Sequence, residues 1–466
     1  MNRSSSGGIR NYCEIRCSRW RLRTNAPFLA GTLAACLCWA APPACAQVVG
    51  ESHTRIHDPE AEALQQLLAD GQAALDRKDF AAAAQKYHDY LAKKPEDAAA
   101  HFQLGYALTA MHRPAEAKSE YAKAAELDPM MVSAYLNLGM TDIDIGDASS
   151  AIAPLEKAAE LSPSEARPRL ILGLAYEKTG KLGEAIEQLQ AAEKLDDKSP
   201  GIHEELGRAL LASNRAGDAE AEFRATIALR PDSSEAHLGL ARSLIAEKKS
   251  ADAAAEIDVY LKSEPNDSTA HIERASLLID AGKYEDALTE LDRVRSAGGG
   301  EFAQAESLRA LKLRAEADLN LKRYDAAIAA LEKGEVDDPH DAQIPAALGH
   351  AYIEKKDYPS AIRALGVAWK MDTKSDDVLG DLINAQYLSK NYQAALQGID
   401  LLSQRKQLPV GSWFVRATCY DKLGEAAQAL DAYEKFLQLN TDETSDMYFE
   451  ATARVRFLKR QLEKKR

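Results

Sequence analysis

The sequence predicts an all-α solenoid of about eleven helix-turn-helix repeats, closed by a C-terminal capping helix. Three observations predict it. The chain repeats itself at an offset of 34 residues: 100–129 read AHFQLGYALTAMHRPAEAKSEYAKAAELDP and 134–163 read AYLNLGMTDIDIGDASSAIAPLEKAAELSP. Small residues return at two fixed registers of that repeat. Alanine and charged residues abound while β-branched runs are scarce, which favours helix throughout. At 466 residues such a chain grows by stacking units on one another, without a larger core.

The first 46 residues differ from the rest. They carry Arg3, Arg10, Arg16, Arg19, Arg21 and Arg23 against Glu14, then the uncharged stretch TNAPFLAGTLAACLCWAAPPACA. A basic start, a short apolar run and Ala44–Ala46 before Gln47 describe a secretory signal peptide, residues 1–46. The run is interrupted and short for a spanning helix, which needs about 20 residues. A competing signal, LAAC at Leu33–Cys36, resembles the lipobox of bacterial lipoproteins and would anchor the chain through Cys36. Cys13, Cys17, Cys36, Cys38 and Cys45 precede Gln47 and only Cys419 follows, so the exported part forms no internal disulfide. The whole chain carries −14, and losing a basic leader leaves the remainder more acidic still. That balance favours solubility and opposes nucleic-acid binding, which requires neutralising phosphates.

After a lead-in over 47–63, seven repeats are expected at 64–297 and four at 308–443. Gly71, Gly105, Gly139, Gly173, Gly207, Ala241 and Ala275 share one register, and Ala315, Gly349, Ile383 and Ala417 continue it. Twelve residues after each stands an alanine: Ala83, Ala117, Ala151, Ala185, Ala219, Ala253, Ala287, then Ala327, Ala361, Ala395 and Ala429. One small residue in each helix lets two backbones approach closely. Gly146, Gly180, Gly282, Gly424 and Asn214 fall at the turn inside a unit, where a left-handed backbone is cheap for such residues. Between the two groups, residues 298–307 hold Gly298–Gly300, read as a longer surface loop or a hinge. In 444–466, Tyr448, Ala451, Val455, Leu458 and Leu462 make one apolar stripe suited to capping the last repeat. Arg454, Arg456, Lys459, Arg460 and Lys464 are expected on the opposite face, solvated or in contact with an acidic partner or anionic lipid.

The pattern resembles the tetratricopeptide repeat family over about residues 64–441. The last unit matches the family motif residue by residue, with Trp413, Ala417, Tyr420, Ala429, Tyr433 and Phe436. Ile383 departs from it in the tenth unit, and Asp197 stands where the fourth unit should close with proline. The resemblance implies a right-handed superhelix whose first helices line a concave groove at positions 5, 9 and 12 of each unit. Phe102, Tyr106, Leu136, Met140, Leu170 and Leu174 then form an apolar strip in the groove or, on the alternative reading, pack between helices. Arg208 and Arg242 follow and would favour a partner with an acidic end. The family's carboxylate clamp needs lysine, asparagine and arginine there, so binding of free C-terminal carboxylates is not expected.

Chemistry is hard to find. HEELG at His203–Gly207 begins like a zinc-protease motif, but Gly207 stands where the second histidine must be. No phosphate-cradling glycine loop or serine-nucleophile elbow occurs. His101, His203, His237 and His271 all take the fourth position of their units. They cannot form a metal ladder, because neighbouring helix axes lie about 8–10 Å apart and zinc holds its nitrogens at about 2.1 Å. They are read as packing residues. The expectation is therefore a non-catalytic, exported protein-interaction scaffold without cofactor or metal, periplasmic or secreted, taking peptide segments or proteins in its groove. The alternative is a structural subunit of an envelope machine for secretion, polysaccharide export or outer-membrane assembly.

Overall fold

Helices follow one another with short turns throughout the computed structural model, which describes residues 58–297 and 304–465. The leader, its Cys36 and Gln47 boundaries, and Gly298–Gly300 lie outside the described residues. The first pair is α1 (Pro59–Asp76) with α2 (Phe80–Leu91), and the second α3 (Ala98–Ala110) with α4 (Pro114–Leu127). Next come α5 (Val132–Asp144) with α6 (Ala148–Leu161), and α7 (Ala166–Lys178) with α8 (Leu182–Glu193). The chain continues through α9 (Pro200–Ala212) with α10 (Ala216–Leu229), and α11 (Ser234–Ala246) with α12 (Ser250–Ser263). Then follow α13 (Ser268–Asp280) with α14 (Tyr284–Ala297), and α15 (Gln304–Asn320) with α16 (Tyr324–Asp337). Three more pairs are α17 (Gln343–Glu354) with α18 (Tyr358–Met371), α19 (Asp376–Leu388) with α20 (Tyr392–Arg405), and α21 (Val410–Lys422) with α22 (Ala426–Leu439). Last is α23 (Asp446–Lys465). No strand occurs among the described residues, and no helix there is long and apolar enough to cross a membrane.

Each helix packs on the helix before and after it, and several first helices also touch the first helix of the next pair. This is a solenoid, with the core distributed along it as a chain of small apolar clusters. The small-residue register explains how a pair closes. Gly71, Gly105, Gly139, Gly173, Gly207 and Gly349 each face a large side chain 16 residues on: Tyr87, Tyr121, Leu155, Leu189, Phe223 and Leu365. A Cβ at Gly105 would stand 2.8 Å from the Tyr121 ring, and one at Gly173 would stand 2.7 Å from Leu189. In the tenth unit Ile383 keeps its size because Gly398 opposite gives way. A Cβ there would come within 2.6 Å of the Ile383 side chain. The exchange of large and small across the contact is why the departure from the motif is tolerated.

The intra-unit turns follow one rule with mixed residues. Gly146, Gly180, Gly282, Gly424 and Asn214 have positive φ, as the spacing predicts, and so do Lys78, His112, Lys248, Lys322, Lys356 and Lys390 at the same register. Backbone bonds hold the turn: Asp79 N–H donates to the Ala74 carbonyl at 2.8 Å and Arg113 N–H to that of Leu108 at 3.0 Å. That closure fixes the left-handed residue whether or not a glycine occupies it.

Across the interruption, Ala275, Ile279, Ala287, Leu288, Leu291 and Ala317 form one apolar cluster. The helix α15 starts at Gln304, four residues before the expected start of its unit at Leu308. At the far end, α23 buries Ala451 and Leu458 against Tyr433 and Phe436. Two of its basic residues face the last repeat, in contrast to the solvated face expected of them. Arg454 makes two 2.6 Å bonds to Asp421, and Lys459 pairs with Glu434 at 2.7 Å.

Candidate interaction surface

The strip expected in the second to fourth repeats is not one exposed surface. Leu136 is 6% exposed and packs with Leu155 and Ile171, so it belongs to the core between pairs. Phe102 lies 5.6 Å from the Tyr121 ring, half-buried against two apolar clusters. Met140 and Leu170 are half-buried in clusters of their own, and Leu174 is also half-buried. Only Tyr106 of the six is exposed, with Phe80 at its edge. The cause is the depth of the first helices between their neighbours: position 5 turns into the seam between successive pairs. Truncating Phe102 and Leu136 together would therefore remove core packing. The two arginines are engaged within the chain. Arg208 pairs with Glu205 and lies 3.8 Å from Glu177, while Arg242 bonds Glu273 at 3.0 Å.

A cleft does open on first helices, six repeats further on. It measures about 720 Å³ and lies between α15, α17 and α19. Positions 5 and 9 supply Lys312, Glu316, Ala346 and His350, and α19 adds Asp377 and Asp381. Lys312 is turned aside, bonded to Gln343 at 3.1 Å and paired with Asp341. Burial raises the pKa of Asp381; His350 nearby pulls it back and Asp377 pushes it further up. The walls thus carry four carboxylates, Glu316, Glu354, Asp377 and Asp381, against two lysines, Lys322 and Lys312, the latter paired with Asp341. Such a lining suits a basic side chain on an extended segment. The spacing rule that put positions 5 and 9 on the groove could have found these residues. Their mixed polar character hid them behind the apolar strip.

The four fourth-position histidines are built alike. Each Nδ1 faces a glutamate 19 residues on: His101 with Glu120 at 2.6 Å, His203 with Glu222 at 2.7 Å, His237 with Glu256 at 2.6 Å and His271 with Glu290 at 2.7 Å. Each Nε2 meets the backbone carbonyl six residues back, of Pro95, Asp197, Pro231 and Pro265, at 3.0–3.3 Å. A carbonyl only accepts, so Nε2 is the nitrogen that donates there, and Nδ1 is left to face the carboxylate. Burial by itself would lower the pKa of His203. The Glu222 bond, the Asp197 carbonyl and the charges of Glu222 and Glu193 outweigh it and raise the pKa. These side chains brace the loop between pairs against the second helix of the unit. They do pack, as the sequence implied, but through a polar bracket.

The same two positions vary together along the chain. Arg169 bonds Gln188 at 3.2 Å in the fourth repeat. In three later units the fourth position is apolar and its counterpart small: Leu311 with Ala330, Leu379 with Gly398 and Trp413 with Ala432. That internal pairing was present in the sequence as a signal, readable once the facing positions are known.

Comparison with known proteins agrees with this architecture. The family model described as the C-terminal domain of cilia and flagella-associated protein 70 matches residues 46–277. Two tetratricopeptide repeat models match residues 272–342 and 410–443. No curated protein matches the chain. Among solved structures, MamA from Desulfovibrio magneticus RS-1 (41-end) is 24% identical over 36% of this chain and 96% of its own, with a TM-score of 0.35. PilF of Pseudomonas aeruginosa is 23% identical over 45% of this chain and 92% of its own, TM-score 0.39. Yeast Tom70 is 14% identical over 87% of this chain and 97% of its own, TM-score 0.35. With repeat models matched in both the middle and the last unit, and one register of small residues joining them, this chain belongs to the tetratricopeptide repeat family.

Proposed function

We propose that the chain is a non-catalytic protein-interaction scaffold, and that the cleft between α15, α17 and α19 takes an extended partner segment carrying a basic residue. The observation that supports this reading is the excess of carboxylates in the lining, Glu316, Glu354, Asp377 and Asp381 against Lys312 and Lys322, with Lys312 also paired with Asp341. The double change Glu316→Lys with Asp381→Lys reverses the charge of the cleft at residues that are exposed or half-buried. Like charges facing each other across an interface cost several kcal/mol. Crosslinking in intact cells, read by mass spectrometry, should recover a partner with the wild type and lose it with the variant at unchanged helicity. Recovery of the same partner at the same yield would move the binding surface elsewhere.

The proposed site of action is the cell envelope or the medium, on the strength of the arginine-rich leader and Ala44–Ala46. Intact-mass measurement of the protein from its own cells should give Gln47 as the first residue. An acylated Cys36 would instead tether the scaffold to a membrane.

A further inference from the structure

The four histidine brackets are alike within their own repeats and differ in the helix stacked before them. Ten residues ahead of the histidine stands Leu91 for His101, Ile227 for His237 and Leu261 for His271. Each of these three is buried or half-buried in an apolar cluster. Ahead of His203 the residue is Glu193, the last of α8. Its Oε1 lies 3.9 Å from His203 Nδ1, which Glu222 also approaches, at 2.7 Å. One ligand atom from each of the three residues lies within 4.8 Å of the other two.

We propose that Glu193, His203 and Glu222 form a divalent-metal site of the zinc class, in the seam between the fourth and fifth repeats. The donor set is one imidazole nitrogen and two carboxylates. That suits Zn²⁺ far better than Ca²⁺, which takes six to eight oxygens, or Mg²⁺, which requires an octahedron of oxygens. Ligands about 2.1 Å from a tetrahedral ion stand roughly 3.4 Å from one another. The observed 2.7 and 3.9 Å bracket that separation, so small rotations of the two glutamates complete the set. The imidazole is already oriented for it. Its Nε2–H donates to the Asp197 carbonyl at 3.0 Å, the outer contact that fixes metal-binding histidines in many sites.

Charge favours the ion as well. Any proton at Nδ1 is released to solvent when a metal takes its place, so a neutral imidazole and two carboxylates balance the dication. A dication between Glu193 and Glu222 offsets the repulsion between the two carboxylates. Access is open, since the Glu193 side chain is 31% exposed while His203 and Glu222 are at 8% and 18%. An apolar side chain fills this place in the three sister brackets, so the carboxylate here is an addition that bracing the loop does not require.

The test is Zn²⁺ alone, added to the chelator-stripped full chain and counted by equilibrium dialysis. Glu193→Leu restores the residue type found before the other brackets and leaves the His203–Glu222 bond in place. Glu193→Gln keeps the shape and removes the charge, and it decides the matter if the leucine variant misfolds. Each folded variant should bind one equivalent of zinc fewer than the wild type, and zinc should raise the wild-type melting temperature more than that of the variant. Comparing variants cancels any zinc taken by the leader cysteines, which all three proteins share. Equal zinc stoichiometry in the wild type and both variants would overturn the site.

Discussion

Glu290→Ala is expected to destabilise the protein by about 3 kcal/mol, the scale on which a broken buried pair acts. His271 and Glu290 are the most buried of the four brackets, at 2% and 5% exposure. Nε2 of His271 is committed to the Pro265 carbonyl, so without the carboxylate its Nδ1 faces an apolar seam with nothing to bond. Glu290 also holds Arg293 at 2.9 Å and lies 3.8 Å from Arg274, which adds to the loss. Adding His271→Leu should recover most of the stability. The double variant reproduces the large-and-small combination that Trp413 and Ala432 carry at these two positions. Replacing a buried pair with well-packed apolar groups is often neutral or better. Urea unfolding of the single and double variants measures both effects. A double variant as weak as the single one would show that the polar bracket is needed for more than filling the contact.

Gly139→Leu is expected to cost about 3 kcal/mol, at the upper end of overpacking. Even a Cβ at Gly139 would overlap the Leu155 side chain, itself fully buried, so α5 and α6 must part. The gain in helix propensity on losing a glycine, about 1 kcal/mol, offsets only some of this. Because each pair contacts chiefly its neighbours, the damage should be local. Hydrogen exchange should rise over α4–α7 and stay unchanged beyond α12. Uniform loosening of the whole chain would contradict a core distributed along the stack.

Reading the chain against its own repeat located the helices well, because the 34-residue spacing is set by local geometry. Two helices, a left-handed turn and a return loop have one length, and alanine and glycine mark where backbones touch. Six of the turns needed no glycine or asparagine, since Lys78, His112, Lys248, Lys322, Lys356 and Lys390 take the same positive φ under the hydrogen bonds of the closure. Sequence propensity names the cheapest residue there, and the stacked helices impose the conformation on others.

The surfaces were less legible. Met140 and Tyr106 hold the same groove position by spacing, yet one is half-buried and the other exposed. The difference depends on how deeply each first helix sits between its neighbours, which no periodicity within one helix encodes. The brackets show the same limit. His203, Glu222 and Glu193 come from α9, α10 and α8, and their meeting depends on which face of a second helix turns toward the next pair. The sequence by itself determined the repeat, its helices and the close contact inside each pair, because those are interactions between residues a fixed number apart. Only the tertiary structure decided the acidic cleft, the histidine brackets and the placement of Glu193, because stacking brings together side chains from three helices whose angles and depth are set by all the packing around them.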